Sequence, residues 1–136
     1  MSVTETPTVL VIEDEEDLRG ALALTLKRGR CKPVLRPDGR SGLKALYDVR
    51  PDAVVLDIGL PDIDGYELAR TIRAAPWGRH TLLIAVTGWG QEGDRRRALE
   101  AGFDHHLTKP AAAEALDTLL KARGSALPRA SAQPAH

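Results

Sequence analysis

The chain has 136 residues, 43% of them hydrophobic and 28% charged, and its 19 Lys and Arg residues balance its 19 Asp and Glu residues. These proportions are typical of one globular domain, so we expect no second domain within these residues. A net charge of zero excludes binding to a phosphate backbone through a general basic excess, so we expect no direct contact with nucleic acid. The single cysteine, Cys31, excludes an internal disulfide and a zinc site built from several cysteines.

The two ends of the chain differ in composition from the middle. Residues 1–7 are too polar for a secretory signal, and no apolar run reaches the roughly 18 residues that a membrane-spanning helix needs. We therefore expect a cytoplasmic protein without membrane association. Residues 1–7 and 123–136 carry too few apolar side chains to form a core and are predicted to be disordered, which leaves residues 8–122 as the folded domain.

Short apolar runs rich in β-branched residues predict strands that are buried on both faces, as in a parallel sheet. These runs are residues 8–12, 53–56 and 82–86. Residues 32–36 and 103–108 predict two weaker strands. Pro33 cannot donate a hydrogen bond to a neighbouring strand, so residues 32–36 are expected at an edge of the sheet.

The segments between these strands place apolar residues at helical spacing. The spaced residues are Leu18, Ala21, Leu22 and Leu26; Leu43, Leu46 and Tyr47; Leu68, Ala69 and Ile72; and Ala112, Leu116, Leu119 and Leu120. A further helix, about Gln91 to Ala101, has only a thin apolar side. Five βα repeats with right-handed crossovers predict an α/β, doubly wound, five-stranded parallel sheet in the order 2-1-3-4-5, the flavodoxin-like (βα)5 topology.

Polar side chains stand at the carboxyl ends of the predicted strands, where an open α/β sheet binds its ligand. Glu13 and Asp14 follow the first strand and Asp57 ends the third, and these two strands flank the point where strand order reverses. Thr87 ends the fourth strand and Lys109 follows the fifth. We expect Glu13, Asp14 and Asp57 to lie close together.

The clustered carboxylates predict a bound cation, because each pair of like charges costs roughly 3 to 4 kcal/mol at an effective dielectric constant near 20. An oxygen-only donor set favours Mg²⁺ or Mn²⁺ over zinc, since no thiolate or histidine ends these strands. The backbone carbonyl of Gly59 would be a further oxygen ligand beside Glu13, Asp14 and Asp57.

Together these motifs resemble the receiver domains of two-component response regulators, over about residues 8 to 122. The motifs are Glu13-Asp14; Val55-Leu56-Asp57; Leu60-Pro61-Asp62 with Gly65; Val86-Thr87-Gly88; and Lys109-Pro110. The stretch from Val86 to Pro110 is similar to receivers fused to hybrid histidine kinases. The chain is therefore expected to be either a single-domain response regulator or the receiver piece of a hybrid kinase.

The resemblance implies a role for each site residue. Asp57 would accept a phosphoryl group from a phosphohistidine, while Glu13 and Asp14 would hold Mg²⁺. Thr87 and Lys109 would contact the phosphoryl oxygens. Catalysis would be limited to self-phosphorylation and slow self-dephosphorylation, so the chain would not be an enzyme. The implied partners are a histidine kinase or phosphotransfer protein, a downstream protein and, as an open alternative, a second copy in a homodimer.

The resemblance also implies a conformational switch and a cis bond before Pro110. In receivers the threonine moves to the phosphoryl group, and a Tyr or Phe three residues before the lysine follows it inward. Here that position holds His106, which places the second half of the switch in question. A metal site formed by His105 and His106 is not expected, because neighbours on a strand point to opposite faces.

Other interpretations explain fewer of these residues. The acidic run after the first strand could serve as a solvated first helical turn, and Asp57 and Thr87 could act only as caps. A flavodoxin-like electron carrier would need phosphate donors where this acidic run would repel phosphate. An aspartate-nucleophile phosphatase would carry a second carboxylate at position 59, where the sequence has Gly59. Asp62-Ile63-Asp64-Gly65 resembles part of a calcium loop, but Leu60 stands at the first ligand position.

The lifetime of a phosphorylated form can also be predicted. In the family, the positions two after the phosphoacceptor and two after the switch threonine shape the approach of the hydrolytic water. Here these are Gly59 and Trp89, and neither carries a carboxamide or carboxylate to orient that water. We expect a long-lived phosphorylated form.

Overall fold

A computed structural model describes residues 6–88 and 94–122. Strands and helices alternate along the chain, as the sequence predicts. They are β1 (Thr8–Ile12), α1 (Glu16–Arg28), β2 (Lys32–Arg36), α2 (Gly39–Val49), β3 (Ala53–Asp57), α3 (Gly65–Ala74), a short 3-10 helix (Pro76–Gly78), β4 (Leu82–Thr87), α4 (Asp94–Ala101), β5 (His105–Thr108) and α5 (Ala112–Ala122). Trp89 and the predicted tail, residues 123–136, lie outside the described residues.

The five strands form one parallel sheet in the order β2-β1-β3-β4-β5, which confirms the predicted doubly wound fold. β2, with Pro33, lies at an edge as expected. Ile12 pairs with Leu56 across the two central strands, so the next residues, Glu13 and Asp57, emerge side by side at the carboxyl end of the sheet. The topology thus brings the acidic residues to one point.

The fifth strand begins two residues later than the predicted range of 103–108. Phe103 turns into the core, with only 3% of its surface exposed, and its N–H donates to the carbonyl oxygen of Ala98 at the end of α4. The N–H of Asp104 then donates to the carbonyl oxygen of Leu83. Phe103 is apolar like a strand residue, but it lies in the connection after α4 and its backbone bonds to that helix.

Alternate residues of the central strands pack into two separate hydrophobic cores, one on each face of the sheet. Val9 and Val11 pack towards α1 and α5, whereas Leu10 and Ile12 pack towards α2, α3 and α4. Each large aliphatic side chain that is fully buried contributes about 1.5–3 kcal/mol to folding. Tyr47 departs from its predicted core position, because half of its surface is exposed. Its ring makes a T-shaped contact with Trp77, with 5.7 Å between the ring centroids.

Arg73, near the end of α3, joins two connections on the amino-terminal side of the sheet, those that lead into β4 and β5. Its Nε donates to the carbonyl oxygen of Gly102 at 2.9 Å, and its guanidinium also donates to the carbonyl oxygens of Gly78 and Thr81. A salt bridge of 2.7 Å joins it to Asp104. Gly102 has a φ of 111°, and a Cβ there would collide with the Arg73 side chain, so this turn requires glycine.

Among the described residues, no helix has both the length and the apolar character to cross a membrane.

Candidate functional site

Three carboxylates meet at the carboxyl end of the sheet. Glu13, Asp14 and Asp57 each offer an oxygen within 4.8 Å of the other two. Glu13 and Asp57 are only 1% and 3% exposed, whereas Asp14 is exposed. The structure therefore assembles the predicted acidic pocket with two carboxylates in the protein interior and one at its mouth.

Lys109 spans the two buried carboxylates. Its Nζ donates to Asp57 Oδ2 at 3.1 Å and to Glu13 Oε2 at 3.2 Å, and Glu15 Oε1 lies 3.9 Å away. Burial alone would lower the pKa of Lys109, but the hydrogen bond and charge of Asp57, together with Glu13, outweigh it and raise the pKa. The lysine therefore stays charged and partly neutralises the pocket.

The backbone around Lys109 has two notable features. Its N–H donates to the carbonyl oxygen of Thr87 at 2.9 Å, which joins the loop after β5 to the end of β4. The following bond to Pro110 is cis, as the resemblance implied. The side chain of Lys109 is 24% exposed, so its ammonium lies between the buried acids and solvent.

The environment of Glu13 disfavours its charged form. Desolvation is the largest cause that raises its pKa, and the charge of Asp57 adds to it, whereas the N–H of Glu15 and the charge of Lys109 oppose them. The pKa of Glu13 rises from its ordinary 4.5 to about 7. Its Oε1 is buried and accepts no hydrogen bond from any group that the structure describes. A cation beside this oxygen would supply the missing partner, so the donor set fits Mg²⁺.

Asp57 is held through both of its oxygens. Oδ1 accepts a hydrogen bond of 2.8 Å from the N–H of Gly59, and Oδ2 accepts the bond from Lys109. The carboxylate is thereby oriented by the first turn of the loop after β3 and by the loop after β5. The predicted role of the Gly59 carbonyl as a metal ligand remains a prediction.

Thr87 and His106 are joined directly across neighbouring strands. Thr87 is 1% exposed at the end of β4, and its Oγ1 lies 2.7 Å from Nε2 of His106 on β5. Either group can be the donor, depending on the tautomer of the imidazole. The sequence placed both residues in the switch, but the bond between them depends on the register of β4 and β5, in which His106 pairs with Ala85.

A cleft of about 330 Å³ borders His106 on the outside of the sheet. It lies between α4 and β5 and is lined by Arg95, Ala98, Leu99, Phe103, Asp104, His105 and His106. Leu99, at its rim, is 68% exposed. α4 holds to α3 through Arg97, whose guanidinium carbon lies 4.2 Å from the centre of the Tyr66 ring. A change at His106 would therefore reach an accessible apolar surface.

The aspartates after β3 have roles that sequence reasoning did not assign. Asp64 caps α3 by accepting the N–H of Tyr66 at 2.9 Å. Asp62 instead accepts backbone N–H groups of Gly39 and Arg40 at the start of α2, 23 and 22 residues earlier. Both carboxylates thus bind helix termini, which disfavours a calcium loop. Only the short local spacing of Asp64 was visible in the sequence.

An acidic pocket, a lysine and a hydroxyl at the switch point of a doubly wound sheet define a class of α/β signalling domains that receive phosphoryl groups. The model of the family described as "Response regulator receiver domain" matches residues 9–121. The chain therefore belongs to the receiver domains of two-component response regulators.

Named relatives agree with this assignment. The transcriptional regulatory protein AfsQ1 of Streptomyces coelicolor is 37% identical over 116 residues, which are 85% of this chain and 50% of that protein. The chain thus spans about half the length of this curated relative. Because such relatives are transcriptional regulators, the expectation of no nucleic-acid contact receives no support from them.

Solved structures show the same fold. A putative response regulator from Chloroflexus aurantiacus J-10-fl superimposes with a TM-score of 0.78 at 26% identity, covering 89% of this chain and 98% of its own. The receiver domain of the sensor histidine kinase PA1611 from Pseudomonas aeruginosa PAO1, with a magnesium ion coordinated in its active-site cleft, has a TM-score of 0.74 at 30% identity and the same coverage. Similarity thus extends to receivers of both regulators and kinases.

Proposed function

We propose that Asp57 is the phosphoacceptor of this receiver domain and takes its phosphoryl group from a phosphohistidine. The observation that carries the proposal is the position of the Asp57 carboxylate, which is buried beside Glu13 and Asp14 and bound to the Lys109 ammonium at 3.1 Å. A buried aspartate held by a lysine at the ligand-binding edge of the sheet is positioned to attack phosphorus.

The transfer step requires positioning and charge neutralisation more than acid or base catalysis. A carboxylate oxygen of Asp57 forms a bond to phosphorus as the bond from phosphorus to the donor's imidazole nitrogen breaks. That nitrogen keeps the electron pair of the broken bond, and the imidazole leaves neutral because its other ring nitrogen carries a proton. Lys109, already directed at Asp57, neutralises the phosphoryl oxygens, and the Thr87 hydroxyl donates to one of them.

Mg²⁺ is the proposed cofactor. The carboxylates of Glu13, Asp14 and Asp57 and the carbonyl of Gly59 would hold it. Bound there, the ion would neutralise the clustered carboxylates and the transferred phosphoryl oxygens. The oxygen-only donors and the unpartnered Oε1 of Glu13 support this proposal, as does the magnesium in the cleft of the related kinase receiver.

Thr87 and His106 form the proposed switch. Thr87 leaves His106 when its hydroxyl turns to the phosphoryl group, and the change reaches the α4–β5 cleft that His106 lines. The downstream protein partner would bind at that cleft, around the exposed Leu99. A second copy of the chain, in a homodimer, is an alternative occupant of this surface.

The proposal extends to the compartment and the upstream partner of the domain. We propose that residues 8–122 act in the cytoplasm with a histidine kinase or phosphotransfer protein, as a regulator or as part of a larger protein. The domain would turn over no substrate beyond its own phosphorylation and slow dephosphorylation. The acidic pocket disfavours the flavodoxin-like carrier, and Gly59 disfavours the aspartate-nucleophile phosphatase.

Phosphorylation of matched variants tests the proposal. The protein is incubated with Mg²⁺ and a small phosphodonor, and the gain of one phosphoryl group is followed by mass spectrometry. Asp57→Asn keeps the shape of the side chain but removes the nucleophile, so we expect no gain. Asp48→Asn, an exposed control paired with Lys44, is expected to behave as wild type. Phosphorylation of Asp57→Asn at the wild-type rate would contradict the assignment.

A further inference from the structure

Asp62 joins the loop after β3 to the beginning of α2 with both carboxylate oxygens. Oδ1 accepts the N–H of Gly39 at 2.9 Å, and Oδ2 accepts the N–H of Arg40 at 3.0 Å. The first N–H groups of a helix have no acceptor within the helix, and a carboxylate at this end is also favoured by the helix dipole. Asp62 therefore makes a two-point, charge-assisted contact between segments distant in sequence.

The same helix terminus has a second, local carboxylate. Asp38 is the N-cap of α2, and its Oδ1 accepts the N–H of Ser41 at 2.8 Å. Both aspartates thus satisfy amides of the first turn of α2, but only Asp62 connects that turn to another part of the molecule. Comparing substitutions of Asp38 and Asp62 therefore distinguishes the effect of capping α2 from the effect of anchoring the loop after β3.

The loop that Asp62 anchors is the one that leaves the phosphorylation site. It begins after Asp57 with Gly59, whose N–H orients the Asp57 carboxylate. Leu60 is buried, and Ile63 packs so closely on Gly39 that a Cβ at Gly39 would overlap its side chain. The loop is therefore seated on the core at Leu60 and against α2 at Asp62 and Ile63.

We propose that Asp62 is a positioning residue, which sets the loop after β3 against α2 and thereby directs the Gly59 backbone into the metal-binding pocket. The inference rests on the proposed function, because it takes the Gly59 carbonyl as a ligand of Mg²⁺. Groups that orient metal ligands from outside the coordination sphere commonly change metal affinity when they are removed. Asp62 would do so through Gly59, three residues away.

Mg²⁺ titrations of the full chain test this role, followed by amide chemical shifts. Asp62→Ala is expected to weaken Mg²⁺ binding by about tenfold. Asp38→Ala, the matched control, removes a carboxylate from the same helix terminus and is expected to bind Mg²⁺ as wild type does. Asp62→Asn keeps one acceptor oxygen and is expected to fall between wild type and Asp62→Ala.

Hydrogen exchange supplies a readout that helix capping alone would not change. The Gly59 N–H, bound to Asp57, is expected to exchange faster in Asp62→Ala but not in Asp38→Ala. Unchanged Mg²⁺ affinity in Asp62→Ala would overturn the inference, and so would an equal loss in both alanine variants. If Asp62→Ala does not fold, wild-type affinity in Asp62→Asn would overturn it. Absence of Mg²⁺ binding in the wild type would instead overturn the proposed function, and this inference with it.

Discussion

The hydroxyl of Thr87 and the imidazole of His106 lie 2.7 Å apart, so the proposed switch threonine already has a partner on the neighbouring strand. A Tyr or Phe at position 106 would follow the threonine by packing, whereas His106 holds it by a hydrogen bond. The bond opposes the movement of Thr87 towards a phosphoryl group and contributes about 0.5–1.5 kcal/mol to the resting state.

We therefore predict a muted conformational change around β5 on phosphorylation. Moving a switch from 1:99 to 99:1 takes about 5.5 kcal/mol of differential binding, and loss of the His106 bond offsets part of it. His106→Phe is expected to widen the amide chemical-shift changes over residues 94–110, and His105→Phe is expected to leave them unchanged. Changes that are equally wide in wild type and in His106→Phe would contradict this prediction.

Mg²⁺ affinity is predicted to rise with pH between about 6 and 8. The pKa of Glu13 is raised to about 7, chiefly by burial, and Mg²⁺ competes with the proton on this carboxylate. Titrations at several pH values measure the effect, with Glu13→Gln as the variant that loses both the affinity and its dependence on this group. A flat profile for the wild type would show that Glu13 is not a ligand that titrates near neutral pH.

The same pKa has the opposite consequence for the stability of the metal-free protein. The folded state holds the Glu13 proton up to about pH 7, whereas the unfolded chain releases it near 4.5. This group therefore lowers the free energy of unfolding as pH rises from about 4.5 to 7. Urea unfolding of wild type and Glu13→Gln checks this. The glutamine does not titrate, so the variant should gain stability relative to wild type as pH rises over that interval. A constant difference would contradict it.

Arg73 is predicted to stabilise the fold without taking part in the site. Arg73→Ala removes the donor that the carbonyl oxygens of Gly102 and Thr81 share. It also breaks the salt bridge to Asp104, whose Oδ2 keeps only the N–H of Leu83 as a donor. We expect a loss of about 1–3 kcal/mol in the free energy of unfolding, measured by urea denaturation. Arg70→Ala, an exposed control on the same helix, should change it little. Equal stability of the two variants would show that these contacts contribute nothing.

The phosphorylated form is predicted to be long-lived, because Gly59 has no side chain to orient an attacking water. A Cβ at this position would lie 3.4 Å from Asp57 Oδ1, an ordinary contact, so the structure has room for Gly59→Asn beside the Asp57 carboxylate. Release of phosphate should be faster in Gly59→Asn, and faster again when Trp89→Glu is added. Gly20→Asn, on α1 with open space around it, is the control. Decay of the wild type as fast as the double variant would refute the prediction.

Much of the fold could be predicted because its strands are continuous apolar runs and Pro33 marks an edge. The site followed from the same reasoning, since the ends of parallel strands meet at one edge of the sheet. The start of β5 could not be predicted, because Phe103 is a buried apolar residue that packs near α4 and does not belong to the strand. The bonds of Thr87 to His106 and of Asp62 to α2 depend on register and on long-range packing, which one sequence does not reveal.

The central claim, phosphorylation of Asp57, is tested most directly by trapping the acyl phosphate. The protein is phosphorylated with a small phosphodonor in Mg²⁺, reduced with borohydride, which converts an aspartyl phosphate to homoserine, and digested for mass spectrometry. We predict homoserine at position 57 alone, and none when Mg²⁺ is withheld. Homoserine formation at Asp14 or another carboxylate, or an unmodified Asp57 in protein that has gained a phosphoryl group, would contradict the account.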